Sequence, residues 1–194
     1  RLSPRERYHT DLRSGLIFQD DAQQKAVARL ARLFDELTAS HGRVRGGFFD
    51  RVLQRGAAEW RAVHGLYLWG EVGRGKTYIV DAFFDSLPFA EKKRLHFHSF
   101  MRRTHDALRG SVNEVEPLVR VATIWAKEHR VLCLDEFHVS DITDAMLLAK
   151  LLEVLFAAGV TLVVTSNERP EDLYMGGLQR ERFLPAIQSI KRNL

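Results

Sequence analysis

Residues 65–77 read G-L-Y-L-W-G-E-V-G-R-G-K-T, and from Gly70 onward they fit the phosphate-loop pattern G-x-x-x-x-G-K-[ST] without a gap. The apolar run Leu66, Tyr67, Leu68, Trp69 before it predicts a strand. Ile79, Val80, Phe83, Phe84 and Leu87 after it recur at helical spacing until Pro88 stops them. A strand, a glycine loop and a helix in that order turn backbone N–H groups and the positive end of a helix toward one anion. In this reading Gly70, Glu71, Val72, Gly73, Arg74 and Gly75 cradle phosphates and Lys76 reaches the outer ones. The Thr77 hydroxyl then faces the Mg2+ that travels with a nucleoside triphosphate such as ATP. A glycine turn with a chance lysine is the competing reading, and the strand before and helix after weigh against it.

The surrounding chain has 194 residues, 45% hydrophobic and 28% charged, the composition of one soluble globular domain with a sizeable core. The expected division is an N-terminal arm and helix over 1–60 leading into a nucleotide-binding core over 61–194. The net charge of +4 and pI near 9.4 come from arginines that form no long basic blocks, so a solvated face is favoured and no nucleic-acid partner is expected. The one cysteine, Cys133, lies in an apolar run; it reads as a buried hydrophobe without a disulfide partner, at home in a reducing compartment such as the cytoplasm. No run approaches the roughly 18 apolar residues of a membrane span, and the start lacks the apolar core of a signal peptide. Because residue 1 is arginine, the natural start is expected upstream.

Along the chain, residues 1–18 read as a polar, irregular arm that docks on the domain. Asp20 and Gln23 resemble a capping pair, followed by a helix with Ala26, Leu30, Leu33, Phe34 and Leu37 on one face, ending at Gly42. Residues 41–47 read as a loop, and 48–59 as a short helix or an irregular connection. Residues 95–100 alternate as L-H-F-H-S-F, which predicts a strand with His96, His98 and Phe100 on one face. Two histidines so spaced invite a metal reading, but no third ligand is placed, and backbone or carboxylate partners are the stronger expectation. Helices follow over 101–109 and 117–129, joined by a polar loop over 110–116.

Residues 130–134 predict a buried strand ending in Asp135 and Glu136. An acidic pair at the carboxyl end of a parallel strand, in a sheet shared with a phosphate loop, suits nucleotide hydrolysis. Asp135 would hold Mg2+ through its water shell and Glu136 would activate the attacking water. Two solvated acids at a strand end are the alternative, which the upstream phosphate loop makes the weaker one. A helix capped by Asp141 and ended by Gly159 leads to a buried strand over 160–165. Its tip carries Ser166 and Asn167, whose amide suits the last phosphate or the lytic water. A loop from Arg169 and a final helix close the chain.

The phosphate loop, the acidic strand end, the polar strand tip and the downstream Arg180 and Arg182 together resemble the AAA+ class of P-loop ATPases. The stretches L-H-F-H-S-F-M (95–101), L-D-E-F-H-V-S-D-I-T-D-A-M-L-L (134–148) and G-L-Q-R-E-R-F-L-P-A-I (177–187) narrow the resemblance to the ZapE cell-division ATPases and their mitochondrial relatives. It implies an α/β fold with a central parallel sheet flanked by helices, and the nucleotide, metal and water roles already assigned. It further implies nucleotide sensing by Asn167 and an arginine finger at Arg182, or less directly Arg180, acting on the nucleotide of a neighbouring copy. A helix start in solvent is the bland account of both arginines.

By the same resemblance the function is Mg2+-dependent ATP hydrolysis that remodels a protein partner, FtsZ at the division ring, in a homo-oligomer with shared sites. The location would be cytoplasmic, peripheral at the division site, or on the matrix side in a mitochondrion. A nucleotide-gated binding module and a replication initiator or helicase loader are the alternatives. Two departures stand out. The chain ends before the fifth strand and helical lid of such ATPases, which leaves a four-strand sheet with the phosphate-loop strand at its edge, and the 110–116 loop lacks the aromatic and apolar pair with which threading ATPases grip a substrate.

Overall fold

The computed structural model describes residues 2–40, 60–111 and 115–194. The elements run α1 (Pro4–Arg13), α2 (Asp21–Ala39), β1 (Leu66–Trp69), α3 (Lys76–Ser86), β2 (Lys92–His96), α4 (Phe97–Arg109) and α5 (Pro117–Glu128). After them come β3 (Val131–Asp135), α6 (Ile142–Ala157), β4 (Thr161–Ser166), a 3-10 turn (Pro170–Asp172) and α7 (Arg180–Asn193). The four strands form one sheet in the order β1-β4-β3-β2, every pair parallel. The phosphate-loop strand lies at an edge, as expected, with β4 between it and the acidic strand β3.

The two faces of the sheet are covered by different helices, and the side-chain alternation of β3 shows how. Val131 and Cys133 point into a core shared with Leu30, Leu37, Ile79, Val80 and Phe83 from α2 and α3. Leu132 and Leu134 point the other way, into a core with Phe100, Leu148, Leu152, Phe183 and Ile187 from α4, α6 and α7. All residues of β3 and β4 are buried, which explains their unbroken apolar runs. Each large side chain so buried contributes about 1.5–3 kcal/mol. Cys133 is part of this core, and burial pushes its thiol pKa up to about 12, so it is an inert hydrophobe.

Two expectations change. Residues 4–13 are helical, not irregular. Ser3 Oγ accepts the Glu6 N–H (3.3 Å) and Glu6 Oε2 accepts the Ser3 N–H (2.8 Å), a capping box written locally as S-P-x-E. Hydrophobic periodicity is silent there because Tyr8 is the main apolar side chain that α1 buries. The docking part of the expectation holds: Arg7 pairs with Asp85 at 3.0 Å, and the Tyr78 hydroxyl bonds the Asp11 carboxylate.

The second change is at 95–100, where β2 ends at His96 and α4 starts at Phe97. Phe97, Phe100, Met101 and Thr104 are buried at i, i+3, i+4 and i+7, so the apparent alternation is the end of a strand running into an amphipathic helix. Most of β2 is charged (K-K-R) because it is the other edge of the sheet. His96 and His98 therefore share no strand face, and among the described residues no group of three or more His, Cys, Asp or Glu is arranged to hold a metal. The loop read over 41–47, the segment 48–59 and residues 112–114 of the polar loop lie outside the described residues.

The helix starts at Asp20 and Asp141 are as read, each carboxylate accepting the N–H three residues on at 2.9 Å. Gly159 ends α6 at φ +80°, and an added Cβ would stand 2.0 Å from the Trp60 carbonyl oxygen. We predict that Gly159→Ala lowers stability by more than the roughly 1–2 kcal/mol of the left-handed penalty alone. The measurement is the urea midpoint at unchanged slope; an unmoved midpoint would show that Trp60 does not pack on this turn in solution.

Candidate active site

The phosphate loop bends through three glycines of positive φ, Gly70 (+146°), Gly73 (+85°) and Gly75 (+75°), and the last of them caps α3. Side chains are strained in the left-handed region, which accounts for glycine at 73 and 75. At Gly75 space is also short, since a Cβ would lie 2.6 Å from Gln23 Nε2. Gln23, on the first turn of α2, donates to the Arg74 carbonyl (3.3 Å) and braces the loop from outside. Lys76 folds back over the loop, its Nζ donating to the carbonyls of Gly70 (2.5 Å) and Glu71 (2.8 Å) and to Asn167 Oδ1 (3.3 Å). Burial draws its pKa below the ordinary lysine value.

Asp135 closes β3 with 9% of its surface exposed, and both carboxylate oxygens are held. Oδ2 accepts Arg94 Nε (2.6 Å) and Oδ1 accepts the Thr165 hydroxyl (3.3 Å). Arg94 comes from β2; its Nη1 also bonds the Asp81 carboxylate and its Nη2 the Thr77 carbonyl oxygen (3.4 Å). Burial disfavours the guanidinium charge, yet the Asp135 and Asp81 carboxylates outweigh it and raise the Arg94 pKa. Glu136 sits in the left-handed region at φ +54°, a strained conformation for such a residue. Its N–H donates to Thr165 Oγ1 (3.1 Å), the next N–H, of Phe137, to the Thr165 carbonyl (2.8 Å), and Ser166 Oγ to the Phe137 carbonyl (2.7 Å). The tip of β4 thus imposes the turn that sends the Glu136 carboxylate outward, 3.7 Å from His96 Nδ1.

An open cleft of about 1080 Å³ lies between them, walled by residues 72–78, 136–138 and 165–168 with Phe97 and His98 at the side. Residues 72–75 of the phosphate loop, Lys76, Thr77, Glu136 and Asn167 are therefore brought together, whereas Gly70, Glu71 and Asp135 are not part of the lining. Arg180 and Arg182 are not: neither lines the cleft. Arg180 donates to the Glu171 carbonyl (2.6 Å) and Arg182, exposed, to Gln179 Oε1 (3.0 Å) at the start of α7.

Sequence reading passed over Arg94, Thr165 and Gln23. The available signal for Arg94 was a cation in the strand just before L-H-F, and its partner became visible only once β2 paired with β3 in the register Arg94 to Cys133. Thr165 was a polar residue inside an apolar run. Gln23 had been absorbed into a helix cap.

The donor set fits a hard divalent cation. The Thr77 hydroxyl lies exposed on the first turn of α3, and each Asp135 oxygen accepts one bond and keeps a second lone pair. Oxygen donors of this kind suit Mg2+, which keeps much of its water shell.

The AFG1-like ATPase family model matches residues 2–194. The cell division protein ZapE of Escherichia coli K12 is 46% identical over 198 residues, taking in 99% of this chain and 53% of its own length. Lactation elevated protein 1 homolog B of Danio rerio is 43% identical over 138 residues, 66% of this chain and 27% of its own. The chain thus spans about half the length, or less, of these curated relatives. Among solved structures, DnaI superposes with a TM-score of 0.59 at 18% identity, covering 92% of this chain and 84% of that one. The replication initiator DnaA bound to AMPPCP and single-stranded DNA superposes at 0.61 and 12% identity, covering 93% and 47%. At such identities the likeness is one of fold alone, a parallel sheet flanked by helices.

The Thr165 hydroxyl joins Asp135 to the strained turn. We predict that Thr165→Val, which leaves the Glu136 N–H and Asp135 Oδ1 each short of a partner, lowers stability by about 1–3 kcal/mol. Chemical denaturation checks it, and a variant as stable as the parent would show that the turn does not depend on this bond.

Proposed function

Since the chain belongs to the AFG1-like ATPase family, we propose that the cleft binds ATP with Mg2+ and hydrolyses it, coupling turnover to the remodelling of a protein partner. The observation that carries this reading is convergence: Lys76 on the phosphate loop bonds Asn167 at the tip of β4, and both line the same cleft as Glu136 at the end of β3. Residues 70–75 would present N–H groups to the phosphates. The Lys76 ammonium would exchange loop carbonyls for phosphate oxygens, a gain because the new acceptor carries a full negative charge and a carbonyl oxygen only a partial one. Thr77 and Asp135 would hold Mg2+, which supplies charge neutralisation at the transferred phosphoryl group. Glu136, exposed and turned outward, would take the proton of the attacking water, and Asn167 would orient that water or the last phosphate.

Arg182, with Arg180 as the lesser candidate, would act on a neighbouring copy. Their placement outside their own cleft supports a shared-site homo-oligomer in which the finger stabilises transition-state charge in trans. The name of the E. coli relative places that protein in cell division; we infer a similar setting here, with FtsZ the first partner to test and the cytoplasmic side of the division site as the location. Among the described residues no helix is long and apolar enough to cross a membrane.

Steady-state ATP turnover measured across protein concentration tests the proposal. Specific activity is expected to rise with concentration, and Arg182→Ala to bind ATP but lose about 10³-fold or more in turnover. Glu136→Gln should likewise bind without cleaving and should fail to remodel the partner. Flat specific activity with a normal Arg182→Ala variant would sink the trans arrangement, and full partner function in Glu136→Gln would mark a nucleotide switch instead.

A further inference from the structure

We propose that Arg94 is a positioning residue for the nucleotide site, holding the Asp135 carboxylate in register with the start of α3 where Thr77 lies. The proposal rests on reading the cleft as an Mg2+–ATP site. Asp135 ends β3 and Thr77 opens α3, two elements that meet through apolar packing while β4 separates β3 from the strand that leads into the phosphate loop. One planar group joins their polar ends. From β2, Arg94 sends Nε to Asp135 and its two terminal nitrogens to Thr77 O and Asp81, the last two one helical turn apart on α3.

The exposures separate the important contact from the incidental one. Side chains of Arg94 and Asp135 are 14% and 13% exposed, whereas Asp81 is 54% exposed. A half-exposed pair contributes little by itself, so Asp81 serves to aim the guanidinium. The inner pair governs where a nearly buried carboxylate points. A guanidinium fork fixes direction as well as charge, and a lysine at 94 supplies only a point charge. Groups that orient a metal-associated carboxylate from behind change metal affinity without touching the metal.

The test is binding of a fluorescent ATP analogue titrated with Mg2+, and again in EDTA, for the parent, Arg94→Gln, Arg94→Lys and Asp81→Asn. For both Arg94 variants the Mg2+ needed for half the effect on nucleotide affinity should rise roughly tenfold or more, with affinity in EDTA unchanged within about twofold. Asp81→Asn, at an exposed site where folding is safe, should move the Mg2+ midpoint in the same direction by a smaller factor, and it decides the matter if Arg94 variants do not fold. A strut with no positioning role would lower the melting temperature and leave the Mg2+ midpoint where it is; that result in Arg94→Lys and Asp81→Asn overturns the proposal alone. A parent protein whose nucleotide binding is absent or indifferent to Mg2+ overturns the reading of the cleft, and the role of Arg94 with it.

Discussion

A carboxylate at the end of a wholly buried strand is the constraint around which this structure is arranged. Removing a charge from water is expensive unless it is paired and hydrogen-bonded, and Asp135 meets both conditions through Arg94 on one side and Thr165 on the other. Each neighbour belongs to a different adjacent strand, so the ends of β2, β3 and β4 are tied together at one side chain. The apolar interior of the sheet stabilises the fold, and this polar junction determines how its strand ends face the cleft.

The junction also accounts for the strained turn that follows. Glu136 takes a left-handed conformation that disfavours any residue with a side chain by roughly 1–2 kcal/mol, and three bonds from the tip of β4 impose it. The result is two consecutive acids in opposite situations: Asp135 nearly buried with one hydrogen bond on each carboxylate oxygen, Glu136 with its side chain 80% exposed. Had the strand simply continued, alternation would have placed Glu136 on the opposite face of the sheet, away from its neighbour's surroundings. The strain therefore has a geometric consequence that a relaxed backbone would not deliver.

What could be read from the sequence follows how local each signal is. The glycine turn before α3 was legible because positions 73 and 75 answer to a backbone requirement, the positive φ that both adopt. The buried strands were legible as apolar runs, and the caps at Asp20 and Asp141 as short local patterns. The strand-to-helix junction at His96–Phe97 was misread because both periodicities fit L-H-F-H-S-F over so few residues. Helix α1 was missed because its signals were capping and charge, with almost no apolar face. Arg94 and Thr165 were invisible for a different reason: their roles exist only across strand pairs, and no spacing within the chain encodes which strands are neighbours.

The conformation of Lys76 bears on how far the loop is organised in advance. Its amine is already in the cleft, held by two loop carbonyls and Asn167, so the side-chain entropy of a long lysine, up to about 2 kcal/mol, is spent in folding and would not be spent again on the proposed binding. The desolvation that lowers its pKa makes the same point electrostatically, since a partly buried cation with only neutral acceptors gains more from an arriving anion than one in water does. Gln23 extends the arrangement to α2: by bonding the Arg74 carbonyl and filling the space over Gly75 it stiffens the loop from the side away from the cleft. The N-terminal helices are thus part of the site's scaffold, and a fragment starting at the phosphate-loop strand would keep every residue proposed to bind nucleotide yet lose the Gln23 brace on the loop.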